Sequence, residues 1–194
     1  MGHQRQKTPL FLDRNQQNEY ISLSRIEIEK KGNGGYDELW LQKLVASRPQ
    51  VLPIQDIEPA FTPAFSICTE LPFGPKFLDV LLVTSLGNIV AVECKLWRNP
   101  EARREVIAQV IDYAASLQSL SYQDFETAIR RARKEPSFRL YEYVVKQAAE
   151  PEPSLTESEF IDVVSKNLTS GLCLLLIVGD GLREEAGAMA DTGP

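Results

Sequence analysis

The sequence predicts an α/β layer fold built on a mixed sheet. Three observations carry that expectation: two strongly apolar strand-like runs at 77–83 and 89–96 joined by a short turn, amphipathic helical stretches on either side of them, and a later apolar run at 172–178. The size suits such a fold. A chain of 194 residues makes one domain of somewhat above average size, and roughly 70% of its unfolded surface can be buried without staples. Hydrophobic residues make up 43% and charged residues 25%, which excludes disorder, collagen and coiled coil as descriptions of the whole chain.

Residues 1–35 are polar and end in KKGNGG, a loop by composition. Within them 21–28 (ISLSRIEI) alternates apolar and polar, the pattern of a half-buried strand. A helix is expected from 36 or 37 to about 47, with Leu41, Leu44 and Val45 on one stripe and Arg48-Pro49 ending it. Residues 49–76 hold six of the twelve prolines and read as loop with short strands around 64–71. The two apolar strands follow, linked by Thr84-Ser85-Leu86-Gly87-Asn88, which carries hairpin turn residues. Asn99-Pro100 is an N-cap with proline at the first helical position, opening a helix to about Leu117. Ser121 with Asp124 caps a further helix ending near Lys134, and a shorter helix is expected at 140–147. Residues 150–155 (EPEPSL) form a linker, Thr156 with Glu159 caps a helix through Leu168, and Gly171 leads into the strand 172–178, read as core. The turn Gly179-Asp180-Gly181 precedes 182–190, which reads as a helix cut short and hence as part of a longer protein with an additional domain.

Composition narrows the chemistry. The longest apolar run is seven residues, against the ~20 that a membrane span needs. No basic, apolar leader with a small-residue cleavage site opens the chain, so secretion is not expected. Cys68, Cys94 and Cys173 form an odd set in apolar contexts, the pattern of buried free thiols in a reducing cytoplasm. The only histidine is His3, which excludes a His-based triad and makes a His/Cys zinc site a poor expectation. The net charge of −6 argues against a nonspecific nucleic-acid binder coated in positive charge. Carboxylates, lysine, hydroxyls or a bound metal must carry whatever chemistry there is.

The strand at 89–96 is the most informative segment. Alternation places Val90, Val92, Cys94 and Leu96 on one face and Ile89, Ala91, Glu93 and Lys95 on the other. A central strand apolar on both faces thus ends in a carboxylate beside an ammonium, and desolvating each costs several kcal/mol without compensation. Asp79 interrupts the hairpin partner among Phe77, Leu81 and Val83, and a tight turn returns it near Glu93 and Lys95. Glu38 shares a helical stripe with Leu41, Gln42 and Val45. Gln109 and Tyr113, at i and i+4, fall on the apolar stripe of the helix after the hairpin. Carboxylates gathered without histidine or thiolate suit a hard cation, Mg²⁺ or Mn²⁺. Each residue also has a plain structural reading: Glu93–Lys95 as an ion pair at a strand end, Asp79 as a strand-end or turn cap, Glu38 as a partner for the helix dipole, Gln109 as a surface side chain and Tyr113 as a core tyrosine. Of the basic residues, 130–134 (RRARK) reads as a solvated helix face, whereas Arg98 and Arg103 flank the acidic cluster.

Asp79, thirteen intervening residues and then Glu93-x-Lys95 resembles the PD-(D/E)XK nuclease superfamily, with its restriction-endonuclease-like fold. The resemblance covers residues 36–117. Glu38 looks like the acidic residue of the family's first core helix; residues 38–52 are similar to the start of NucS-like nuclease domains; Gln109-x-x-x-Tyr113 resembles the Q-x-x-x-Y motif of RecB-type members. Leu78 departs from the pattern, standing where the family has proline. The resemblance implies a three-layer core, a mixed central sheet flanked by helices, over 36–190, with 1–35 as an N-terminal extension. It implies a Mg²⁺- or Mn²⁺-dependent deoxyribonuclease in which Asp79, Glu93 and Glu38, with the Cys94 backbone carbonyl, hold the metal. Lys95 would be the catalytic lysine, and Gln109, Tyr113, Arg98 and Arg103 would support it or contact DNA. The expected setting is cytoplasmic, away from membranes, with a homodimer among the assemblies such enzymes adopt. The competing expectation is an inactive nuclease-fold module that binds DNA or a protein partner, which the net charge of −6 favours slightly. A purely structural α/β domain is a third.

Overall fold

The computed structural model describes residues 10–12, 20–22, 37–73, 76–96, 101–148 and 155–179. The chain divides into two compact units, Met1–Asp37 and Glu38–Pro194. In the first, β1 (Leu10–Leu12) pairs antiparallel with β2 (Tyr20–Ser22), Phe11 opposite Ile21. The strand expected at 21–28 therefore begins at Tyr20, and its remainder lies outside the described residues, as do the cap Asn99-Pro100, most of the 150–155 linker and the helix expected at 182–190.

The second unit is an α/β layer structure with a four-stranded mixed sheet flanked by helices. Helix α1 (Glu38–Ser47) comes first. Between it and the sheet lie three short helical turns: a 3-10 turn at Pro49–Val51, the single α-turn α2 (Ile54–Ile57) and a second 3-10 turn at Pro59–Phe61. Expected as loop, this stretch is helical because Pro49 and Pro59 each start a turn where their fixed φ and missing N–H cost nothing. The sheet order is β3-β4-β5-β6: β4 (Lys76–Thr84) pairs antiparallel with both β3 (Ala64–Phe73) and β5 (Ile89–Cys94), and β6 (Cys173–Val178) runs parallel to β5. β3 is longer than the short strands expected at 64–71, and Pro72 is tolerated in it because β3 is an edge strand. Every residue of β5 is buried, as its two apolar faces require.

Helices α3 (Glu101–Gln118), α4 (Tyr122–Arg133), α5 (Leu140–Gln147) and α6 (Glu157–Ser170) fill the connection between β5 and β6. Their local causes are the expected ones: Ser121 accepts the Asp124 N–H, and Thr156 with Glu159 forms a full capping box. The main core joins Leu81, Val83, Ile89 and Ala91 of the sheet to Tyr113, Leu117, Phe125, Ile129, Val144, Phe160 and Val164 of these helices. α1 packs separately on β3, β4 and β5, through its buried Leu41 and Val45.

Two expectations need correcting. The run 172–178 was expected to be core, yet β6 is only half-buried and Leu172 is exposed. It is an edge strand, so only Cys173 and Leu175 on its inward pleat pack against the core. Cys173 is correspondingly half-buried, while Cys68 and Cys94 are buried thiols pushed up to about 12 by desolvation. The basic stretch 130–134 is not a uniformly solvated face. Arg130 pairs with the buried Glu126 and donates to the Phe138 carbonyl at 2.8 Å. Arg133 donates to the Ile67 carbonyl at the β3 bulge and stacks on Phe138 and Tyr143, 4.2 and 4.7 Å from the ring centroids.

The β4–β5 turn fixes the register on which the site depends. Gly87 has φ +79°, and its carbonyl accepts from the buried Asn167 at 2.9 Å. A Cβ there would lie 3.1 Å from methyl carbons of Val163 and Val164. Gly87→Ala is therefore expected to lower stability by about 1–3 kcal/mol. Thermal unfolding should show a midpoint lower by roughly 5 °C.

Candidate active site

The site lies where the β4–β5 ladder ends. The last paired residues are Val80 and Val92, so the next position on each strand is Asp79 opposite Glu93. β3 continues the row: Glu70 falls between the ladder pairs Thr69–Val80 and Leu71–Leu78, opposite Asp79 on its other side. Three adjacent strands thus present three carboxylates in one transverse row, an arrangement that cross-strand electrostatics disfavours. Together with Glu38, Leu39, Gln42, Cys94 and Lys95 they line a cavity of about 230 Å³.

Asp79 is held from two directions. Its Oδ2 accepts the Cys94 N–H at 2.7 Å and its Oδ1 accepts the Gln42 side-chain amide at 3.2 Å. That amide also donates to the Asp79 carbonyl at 3.2 Å and to Glu70. Burial raises the Asp79 pKa to about 6; the Cys94 N–H opposes the rise, and the charges of Glu70 and Glu38 add to it.

Glu93 is only 5% exposed, and its Oε2 has no hydrogen-bond partner among the described residues. Burial pushes its pKa up to about 8, with Asp79 adding to the shift and Lys95 and the Tyr113 hydroxyl opposing it. Burial thus favours the protonated form of Glu93, whereas a bound cation would favour its carboxylate.

Lys95 follows immediately after β5, with its N–H donated to the Val178 carbonyl of β6 at 2.8 Å. Its ammonium lies 3.4 Å from Glu38 Oε1. Glu38 is in the first turn of α1, and its Oε1 also accepts the Leu96 N–H at 3.1 Å. Both Glu38 contacts run to the strand end, so this carboxylate acts here as the lysine's partner.

Tyr113 is fully buried on α3. Its hydroxyl donates to the Phe77 carbonyl at 2.5 Å, accepts from Gln109 and contacts the Glu93 carboxyl. The Gln109–Tyr113 pair thus meets Glu93, and the tyrosine presents nothing at the surface for DNA. Arg98 lies outside the described residues, as does the side chain of Arg103, although its backbone belongs to α3.

The structure therefore brings Glu38, Asp79, Glu93 and Lys95 to one cavity. It adds two residues that the sequence did not single out as functional. Gln42 was legible only as a polar residue on an apolar helical stripe. Glu70 has a left-handed backbone (φ +52°) within a strand, which no local pattern announces.

No three His, Cys, Asp or Glu side chains among the described residues converge into a ready-made metal site. The donor chemistry nonetheless fits a hard divalent cation: two carboxylates stand opposed at a cavity, both with raised pKa, and one buried oxygen of Glu93 has no partner among the described residues. Comparison with known proteins adds nothing to this chemistry, since no family model, curated protein or solved structure matches the chain.

The Glu93 shift has a consequence for stability. Its stabilising contribution is fully present below the ordinary value of 4.5 and is lost as pH rises through about 8. In chelator, Tm should fall by roughly 5 °C between pH 6 and pH 8.5 from this source. Glu93→Gln should flatten that dependence, and Mn²⁺ added at pH 8.5 should restore stability to the wild type alone; calorimetry at the two pH values checks each expectation.

Proposed function

We propose that this chain is a divalent-metal-dependent nuclease that hydrolyses phosphodiester bonds in DNA. The observation that carries the reading is the opposed pair Asp79 and Glu93 beside Lys95, with a buried Glu93 oxygen lacking a partner. Uncompensated burial of this kind is costly, which makes sense where a cation and a charged substrate complete the site. The α/β architecture, with its mixed sheet flanked by helices, supports the restriction-endonuclease-like reading of the fold.

Asp79 and Glu93, with the Cys94 carbonyl, would hold Mg²⁺ or Mn²⁺. The bound ion would lower the pKa of a water and offset charge developing on the phosphate. The protein's own part is positional. Asp79 is oriented by Cys94 N–H and the Gln42 amide, and Glu93 by Tyr113. Lys95, kept at the strand end by Glu38, offers an ammonium to a phosphate oxygen or an attacking water. Glu38 is assigned to the lysine because Leu96 N–H and Lys95 already engage its carboxylate. Cytoplasmic location belongs to the same proposal; among the described residues no helix is long and apolar enough to cross a membrane.

The net charge of −6 favours a second reading, a nuclease-fold module that recognises DNA or a protein without cutting. Cleavage of labelled single-stranded, duplex, flapped and mismatched DNA and of RNA in Mn²⁺ separates the two. Under the nuclease reading the wild type cuts DNA, and Lys95→Ala and Asp79→Asn each lose about 100-fold or more in rate. Binding without cutting would favour the module. Mn²⁺ affinity unchanged in Asp79→Asn, with only stability altered, would indicate a purely structural domain.

A further inference from the structure

Glu70 stands in the acidic row without an assigned role. It is exposed, so burial does not account for its position. Its φ of +52° costs an L-residue about 1–2 kcal/mol, a cost glycine would avoid. The other described non-glycine residue with positive φ, Lys134, caps the C-terminus of α4, where left-handed backbone is ordinary. Glu70 has no such excuse, since it lies inside β3 between two regular ladder pairs.

The hydrogen bond its side chain accepts explains what the conformation achieves. The Gln42 amide, on a side chain 5% exposed, donates to Glu70 Oε1 on one strand and to Asp79 Oδ1 and the Asp79 carbonyl on the next. A glutamine side chain can present either its NH₂ or its oxygen at this point. Two carboxylates converging on the same nitrogen select the NH₂, whereas the reversed amide would set its oxygen against Asp79. The Glu93 Oε2, buried at the same cavity and unpartnered among the described residues, independently points to a ligand there.

We propose that Glu70 is a positioning residue that acts through Gln42: by accepting one hydrogen of the amide it turns the NH₂ toward Asp79 and fixes the direction of that carboxylate at the cavity. The inference rests on the reading of the cavity as a divalent-cation site and assigns Glu70 no metal contact.

The test is calorimetric titration of the full chain with Mn²⁺ alone. Wild type is compared with Asp79→Asn, Glu70→Ala, Glu70→Gln, Gln42→Ala and the Glu70→Ala/Gln42→Ala double variant. Glu70→Ala is expected to weaken Mn²⁺ binding about tenfold. Glu70→Gln keeps an acceptor for the amide and should restore most of that loss, and the double variant should bind no more weakly than Gln42→Ala. Equal losses in Glu70→Ala and Glu70→Gln would show that charge, not the amide clasp, is what matters, and would overturn the inference. Unchanged affinity in Glu70→Ala, with binding lost in Asp79→Asn, would overturn it while leaving the cation site standing. No Mn²⁺ binding by the wild type would overturn both. Because Glu70 is exposed, its two variants decide the question even if the buried Gln42→Ala fails to fold.

Discussion

Three neighbouring strands carry a carboxylate at the same transverse position, Glu70, Asp79 and Glu93. Neighbouring strands lie about 4.8 Å apart, so this row sets like charges side by side at the margin of a core that offers little solvent. A valine at each position would extend the sheet without conflict. The chain instead stops the β4–β5 ladder at Val80–Val92 and gives the next N–H, that of Cys94, to Asp79. Much of the surrounding architecture can be understood as the supply of donors to that row.

The donors arrive from rigid elements. α1 is seated on the sheet by Leu41 and Val45, and that seating carries Glu38 and Gln42, one turn apart, to the strand ends. Gln42 reaches Asp79 and Glu70; Glu38 reaches Lys95 and the Leu96 N–H. α3 brings Tyr113 from the other direction, anchored by the Phe77 carbonyl and set against Glu93. The half-exposed Glu38–Lys95 pair adds little stability of its own, on the order of 0–1 kcal/mol. Its value lies in holding the ammonium beside the cavity. Even so, the donors fall short: Asp79 and Glu93 keep raised pKa values, and one Glu93 oxygen stays unpartnered.

The sequence made some of this readable and hid the rest, for physical reasons. The hairpin, the buried central strand and the convergence of Asp79, Glu93 and Lys95 follow from period-2 alternation and a short turn, both local signals. Glu38 was legible from 3.6-residue periodicity. Gln42 was not, because a polar residue on an apolar stripe becomes meaningful only once its partner strand is known. Glu70 depends on a backbone dihedral that glycine would ordinarily signal. The edge position of β6 was invisible because a seven-residue apolar run looks alike in a central and in an edge strand. The same limit applies to Arg130 and Arg133. A basic run is a surface feature until a long-range partner appears, here a buried glutamate and a bulge carbonyl.

The unsatisfied Glu93 oxygen discriminates between kinds of function better than the fold does, since one architecture hosts many activities. A buried polar group in a purely structural role would be paired, or replaced by an apolar residue of similar volume at little cost or even a gain in stability. Glu93 is paired through Tyr113 at its carboxyl yet keeps one oxygen unsatisfied, although Ala91 on the same face of β5 shows that the strand accommodates an apolar side chain there. The deficit is also asymmetric: both Asp79 oxygens have protein donors, whereas Glu93 retains one oxygen with none among the described residues. A module that merely recognised the surface of DNA would gain nothing from a buried, undersatisfied carboxylate, because phosphates are contacted by cations and N–H donors. Under the proposed function, a cation that comes and goes with substrate would account for the deficit, since such a site stays electrostatically incomplete until its cation binds.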